Sequence, residues 1–294
     1  MQILTWPTTN FGDRLNELVW PPLAPEVCSS EAPGCIVGIG SLLNHRLPRQ
    51  PLKYVLGSGF GHGDEPTVDD TWRVKWVRGP ETAKLLKRLT GRDYKVITDG
   101  AVMLSELFAG SDKRYDVSFV PHCSACLPGT WDTLETLTES LGIHLISPEQ
   151  PPHAVIREIS QSRKVLTEAL HGAIVADAFG VPWIPLTRNG ILGFKWIDWT
   201  SSMGLPYEPT RLNYRTTWFQ AEQPKQPFKR AARRIAGTVS QPLLRRQLGR
   251  LVSSRMWHLS DRAVVRQKVA EIKAELGRLR QELAGSPAGA VSVW

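Results

Sequence analysis

Short apolar runs set off by glycine recur along the first part of the chain, at residues 3–6, 35–39, 54–56, 74–77 and 96–98. Runs without polar alternation read as strands buried on both faces. Segments with helical spacing lie between several of them, at 15–20 and 81–89, and that alternation predicts a parallel α/β sheet. A polar break at 108–115, holding Gly110, Ser111 and Asp112, marks the passage to a second unit. That unit reads as a strand at 116–120, a helix at 132–141, a strand at 143–147 and a helix at 153–160. A strand ending at Val165 and Leu166, a helix at 174–179 stopped by Gly180 and a strand at 181–186 follow. The expected fold is α/β, two doubly wound halves facing a cleft, with residues 1–112 and 113–224 as the halves. Residues 187–224 are rich in Trp, Pro and Tyr but show little periodicity, and read as a long loop that covers the cleft or returns to the first half. Residues 225–294 form a basic helical tail. In it Val265, Val269, Ile272, Leu276, Leu279 and Leu283 make a seam suited to packing on the first half or on a partner helix.

Charge sharpens this division. The net charge of +8 is uneven: residues 225–283 hold 15 Lys and Arg against 4 Asp and Glu, a local +11 that leaves −3 for the rest. Within the tail, Arg233, Arg234, Arg245, Arg246, Arg250 and Arg255 are interleaved with Ile235, Leu243, Leu244, Leu248, Leu251 and Trp257, the pattern of a basic amphipathic helix lying on an anionic membrane. A nucleic-acid partner is disfavoured, because the positive charge sits outside the cleft-bearing halves and no recognition module is readable. No run approaches a membrane span, and the opening residues MQILTWP carry no basic leader, so the protein is expected in the cytoplasm, peripheral at the inner membrane face. Four cysteines in 294 residues are too few for a disulfide framework, and Cys123 and Cys126 lack a second pair at zinc-site spacing, so no metal is expected.

The candidate chemistry falls at strand ends. Asn10, Gly12 and Asp13 follow the first strand, with Asp13 suited to cap a helix and Gly12 to let backbone approach a ligand. Gly57, Ser58 and Gly59 form a glycine-rich turn of the kind that cradles an anion. Arg78, followed by Gly79 and Pro80, places a planar fork that suits either a carboxylate or phosphate ligand or a surface salt bridge. Asp99 and His122 occupy equivalent positions, and Glu168, His171 and Gly172 stand between two of the most apolar segments. A cation, carboxylates and two imidazoles converging on one cleft imply an anionic ligand and proton transfer.

Taken in order, NFGD (10–13), GIGSLL (38–43), GSG (57–59), VRGPET (77–82), TDGAVML (98–104), VPH (120–122) and EALHGAIVADAFGVPW (168–183) resemble the polysaccharide pyruvyl transferases, and among them the ketal-forming exopolysaccharide members. The resemblance runs from about residue 1 to 199 and leaves 225–294 outside it. It implies a fold like the two-Rossmann glycosyltransferases (GT-B-like), phosphoenolpyruvate as donor substrate with no cofactor, and a lipid-linked oligosaccharide acceptor that receives a pyruvate ketal. It matches Arg78 to the arginine of the family's RGxxT block, and Leu170 with His171 to its Arg-Leu-His block, whose arginine falls here on Ala169 beside Glu168. The resemblance supports the location of these residues, and the chemistry of such a transfer suggests His171 as proton donor or phosphate contact, Asp99 as acceptor of hydroxyl protons and Arg78 as clamp on the donor carboxylate or phosphate. The alternative is a two-Rossmann glycosyltransferase, since a turn with Glu, His and Gly before a helix also suits a nucleotide-sugar diphosphate.

Overall fold

The computed structural model describes residues 1–6, 8–28, 34–61, 63–127, 129–188, 191–214 and 241–285. The early apolar runs become β1 (Gln2–Ile3), β2 (Cys35–Val37), β3 (Lys53–Leu56) and β4 (Trp72–Trp76), paired side by side in that order and all parallel. β2 and β3 are buried along their whole length, as their lack of alternation requires. Helices α1 (Phe11–Leu23) and α2 (Pro25–Cys28) stand between β1 and β2, and β4 is followed by α3 (Pro80–Thr90), a 3-10 turn (Gly100–Met103) and α4 (Leu104–Leu107). The expected strand at 96–98 is reduced to a single bridge between Val77 and Val96. Residues 38–52 and 57–71 connect β2 to β3 and β3 to β4 with no helix among the described residues.

From residue 118 the alternation is regular: β5 (Ser118–Val120), α5 (Thr130–Glu139), β6 (His144–Leu145), α6 (Pro152–Ser160), β7 (Val165–Thr167), α7 (Leu170–Ala178), β8 (Trp183–Thr187), α8 (Phe194–Ser202) and β9 (Thr210–Arg211). The strands lie in the order β6-β5-β7-β8-β9, every pair parallel. The chain steps one way from β5 to reach β6 and the other way to reach β7. The carboxyl ends of β5 and β7 therefore flank a switch point, where open parallel sheets leave a crevice. All nine residues of α7 are buried, which is the place for a helix apolar on every side, and it starts four residues ahead of the expected Ile174. The stretch read as loop from 187 holds α8 and β9, while 215–240 lie outside the described residues. α8 shows no aliphatic stripe because its buried side consists of Trp196, Asp198, Trp199, Thr200 and Ser202.

One apolar interior joins the two sheets. Phe11, Leu15 and Trp20 of α1, Ala173 and Ile174 of α7, and Trp196 and Trp199 of α8 share a cluster with Val265, Val269, Ile272, Leu276 and Leu279 of the C-terminal helix Arg262–Gly285. The seam in the tail is thus covered by this chain's own first half. Ion pairs Lys75–Glu282, Lys95–Glu275 and Lys273–Glu106 flank it, and Arg262 donates to the carbonyls of Asp177 and Ala178 at 2.6 and 2.9 Å. Several of the tail's charges are therefore engaged within the chain. A helix over 241–252 turns Leu244, Leu248 and Leu251 onto Phe119, Ile184 and Leu186 of the second sheet and leaves Arg245, Arg246 and Arg250 exposed. Its apolar face is occupied, so the expected apolar seat in a membrane is unavailable to these leucines. Arg233 and Arg234 lie outside the described residues. No helix among the described residues is long and apolar enough to cross a membrane.

Candidate functional site

Two helix N-termini meet at the switch point. The Phe11 amide donates to the Pro148 carbonyl at 2.8 Å, which brings the first turn of α1 across to the second sheet, beside the first turn of α7. A cavity of about 270 Å³ opens there. Its wall is formed by Trp6, Thr8, Asn10 and Asp13 around the start of α1, and by Ser41, Leu42, Asn44 and Arg46 of the loop after β2. His122 and Cys123 after β5, Ala169, Leu170 and His171 at the start of α7, and Lys195 of α8 complete it. Two cations face one carboxylate, and two sets of helix amides add positive potential, so the cavity suits a small anion.

Asn10 caps α1, its Oδ1 accepting from the Gly12 amide at 3.4 Å, so the helix starts before the expected cap at Asp13. Asp13 sits in the first turn, where an acidic residue complements the helix dipole, and accepts from Asn10 Nδ2 at 3.1 Å. Gly12 has a different use from the one its sequence suggests. A Cβ there would lie 2.1 Å from His171 Nδ1, so the missing side chain makes room for the imidazole. Gly12→Ala is expected to push His171 aside and lower turnover about a hundredfold, the scale of a 1 Å misplacement. Parent-like kinetics in that variant would disconnect Gly12 from the site.

His171 is nearly buried, and its Nε2 lies 3.7 Å from Asp99 Oδ2. Neither atom has a hydrogen bond among the described residues, and the two face each other. The distance exceeds a direct hydrogen bond, in keeping with catalytic contacts that tighten once substrate is bound. Asp99 Oδ1 caps the 3-10 turn through the Ala101 amide at 3.0 Å. At 0% exposure Asp99 stands behind His171 and not on the wall, so it is not placed for the expected direct role with sugar hydroxyls.

Arg78 is corrected more sharply. Its guanidinium is fully buried and donates to Asp198 Oδ2 at 3.0 Å, Ser41 Oγ at 3.0 Å and the Phe60 carbonyl at 2.7 Å. It lies behind the cavity and supports Ser41, which lines it. The GSG turn cradles this arginine and the neighbouring loop instead of an anion. A Cβ at Gly59 would come 2.4 Å from an Arg78 guanidinium nitrogen, Gly57 takes φ +86°, and Ser58 Oγ donates to the Gly40 carbonyl at 3.1 Å while accepting from the Leu42 amide at 3.2 Å. Glu168 is also fully buried: it accepts from the His122 amide at 3.0 Å, Tyr214 at 2.7 Å and Arg188 at 3.3 Å. Burial pushes its carboxyl above the usual range against the pull of Arg188. It fixes the turn that carries His122, whose Nδ1 accepts from the Ser124 amide at 3.2 Å.

The wall residues that motif reading does not single out are Trp6, Thr8, Ser41, Leu42, Asn44, Arg46, Cys123 and Lys195. Ser41 stands inside GIGSLL and was legible there. Asn16 is another omission: it is buried, joins the Ile39 backbone by bonds of 2.9 and 2.7 Å and receives Trp20 Nε1 at 2.8 Å, pinning α1 to the loop that supplies Ser41. Cys123 and Cys126 are free thiols, and burial raises Cys126 to about 12.

The family profile described as "Polysaccharide pyruvyl transferase" matches residues 39–190, which include the loop after β2, the His122 turn and the start of α7. The "Succinoglycan biosynthesis protein ExoV" of Rhizobium meliloti (strain 1021) is 37% identical over 250 residues, covering 79% of this chain and 77% of that protein. A cationic cavity at a switch point, a buried histidine backed by a carboxylate, and a match of this extent agree: the chain belongs to the polysaccharide pyruvyl transferase family.

Proposed function

We propose that this protein transfers pyruvate from phosphoenolpyruvate onto two hydroxyls of a sugar in a lipid-linked exopolysaccharide repeat unit and closes them into a ketal, between two Rossmann-like halves of GT-B type. The observation that carries the reading is His171, backed by Asp99, on the wall of a small cationic cavity in a member of this family. In this scheme His171 delivers a proton to the methylene carbon of the donor, leaving the adjacent carbon electron-poor. The first sugar oxygen attacks that carbon, and its proton passes to Asp13, the only Asp or Glu on the wall among the described residues. The carbon–oxygen bond to phosphate breaks, and phosphate leaves with the bonding pair and the proton held by Asp13. The second sugar oxygen then closes the ring and returns its proton to His171. Protons balance over the cycle, and the chemistry asks for no cofactor. At about 270 Å³ the cavity lies just below the range of about 300–1,000 Å³ typical of drug-sized ligands, which supports a small donor over a nucleotide sugar. Purified protein given phosphoenolpyruvate and lipid-linked acceptor should release phosphate and add a pyruvate ketal visible by mass spectrometry. Nucleotide release from sugar nucleotides, with none of this, would replace the reading by glycosyl transfer.

An acceptor carried on lipid stays at a membrane surface, and we propose that exposed arginines hold the enzyme there. Arg245, Arg246 and Arg250 are exposed, as are Leu243 on the same helix and Met256, 71% exposed, just after it. Each cation near an anionic surface contributes about 1 kcal/mol. Replacing the three arginines with glutamine should weaken sedimentation with anionic vesicles roughly a hundredfold, and salt should release the parent. Equal binding by the variant would remove these residues from a membrane role.

A further inference from the structure

Lys195 enters the cavity from an unexpected direction. It belongs to α8, which connects β8 to β9 of the second sheet, yet α8 is clamped onto residues of the first half. Phe194 meets Phe60 edge-on at 5.5 Å, and Asp198 accepts from Arg78 Nε at 3.0 Å, the Thr82 amide at 2.8 Å and Thr82 Oγ1 at 2.7 Å. Gly61 lies so close that a Cβ there would come 3.3 Å from Lys195 Cβ. The half-buried ammonium is held by no hydrogen bond or ion pair among the described residues, although the buried Lys53, Arg78 and Arg188 each have polar partners. Ala169, on the same wall, offers only a methyl and leaves space at the first turn of α7.

A cation withdrawn from water without a partner is costly unless a ligand completes it. We propose that Lys195 is the residue that grips the anionic group of the donor, with α8 delivering it and Arg78 acting as the positioning residue that holds α8 in place. This deepens, and rests on, the reading of phosphoenolpyruvate as donor. Burial and then the nearby Arg78 lower the lysine pKa, while Asp13 and Cys123 oppose that shift. Arg46, His122 and His171 are the other charged or titratable groups on the wall. The charged form that binds an anion is therefore lost at a lower pH than for an ordinary lysine.

The test is calorimetric titration of the full chain with phosphoenolpyruvate, at neutral pH and through the alkaline range, for the parent, Lys195→Met, Lys195→Arg and Cys123→Ser. Lys195→Met should weaken binding roughly ten- to a hundredfold, the loss of one charge-assisted hydrogen bond, with its melting temperature kept. The alkaline decline of the parent should vanish in Lys195→Met, move to higher pH in Lys195→Arg and persist in Cys123→Ser. Parent-like affinity and pH profile in Lys195→Met overturn the assignment and leave the donor reading standing. A parent that ignores phosphoenolpyruvate but binds inorganic phosphate or UDP-glucose through Lys195 keeps the anion site and removes the donor. A parent that binds none of the three overturns the site. Should Lys195→Met not fold, an alkaline profile shared by the parent and Lys195→Arg overturns it equally.

Discussion

His171→Gln is expected to lower kcat by about 10²–10⁴-fold, the usual worth of a positioned acid–base group, with its melting transition within a degree or two of the parent. Glutamine fills much of the space left beside Gly12 and keeps a polar end toward Asp99, but it neither gives up nor takes on a proton near neutral pH. The companion variant Asp99→Asn separates holding from chemistry. Its oxygen still accepts from the Ala101 amide, so the 3-10 turn survives. Its amide nitrogen, turned to His171 Nε2, becomes a donor where an acceptor stood, and the imidazole is driven to the other tautomer. A fall in kcat at unchanged KM and stability is the expected signature. If Asp99→Asn matches the parent in kcat, Asp99 is only a cap.

Arg78→Met should cost stability as well as activity. Arg78 and Asp198 are each 0% exposed, and removing one member of such a pair leaves a buried charge uncompensated, at a cost of about 3–5 kcal/mol. For a chain of this size that lowers the melting temperature by roughly 10 °C. Thr82 would still donate twice to Asp198, which keeps the penalty within that range. Arg78→Lys retains charge but not the fork that reaches Asp198, Ser41 and the Phe60 carbonyl together, so it is expected to recover only part of the loss. A variant with parent stability and lost donor affinity would return Arg78 to the role its place in VRGPET suggested.

In the second sheet β5, β7 and β8 are legible because each falls in an apolar run, and strand ends at Val120 and Thr167 tell where His122 and His171 lie, whereas β9 is only Thr210–Arg211 and gives no such signal. What could not be read was which side of a strand end faces the cavity. Arg78 and Glu168 follow strands and Asp99 follows only the bridge at Val96, yet each is covered by a neighbour: Ser41 stands in front of Arg78, His171 in front of Asp99, and the His122 turn in front of Glu168. A side chain bound to protein and one bound to ligand present the same residue type. Lys195 escaped for a different reason, since α8 buries Trp196, Asp198, Trp199 and Thr200 and so lacks the aliphatic periodicity that announces a helix. The tail seam was read correctly as a packing face, and its partner is the first half.

The C-terminal helix closes the interior of a sheet whose last strand ends at Trp76. A ribosome working at about 5–20 residues per second needs roughly 10–40 s to advance from Trp76 to Arg262. Through that interval the nascent first half presents the apolar faces around Met103 and Val27 that Ile272 and Leu276 will later cover. The half made first is therefore finished last, and a message cut short before codon 262 should yield a chain that chaperones hold and proteases clear instead of a shortened but working enzyme.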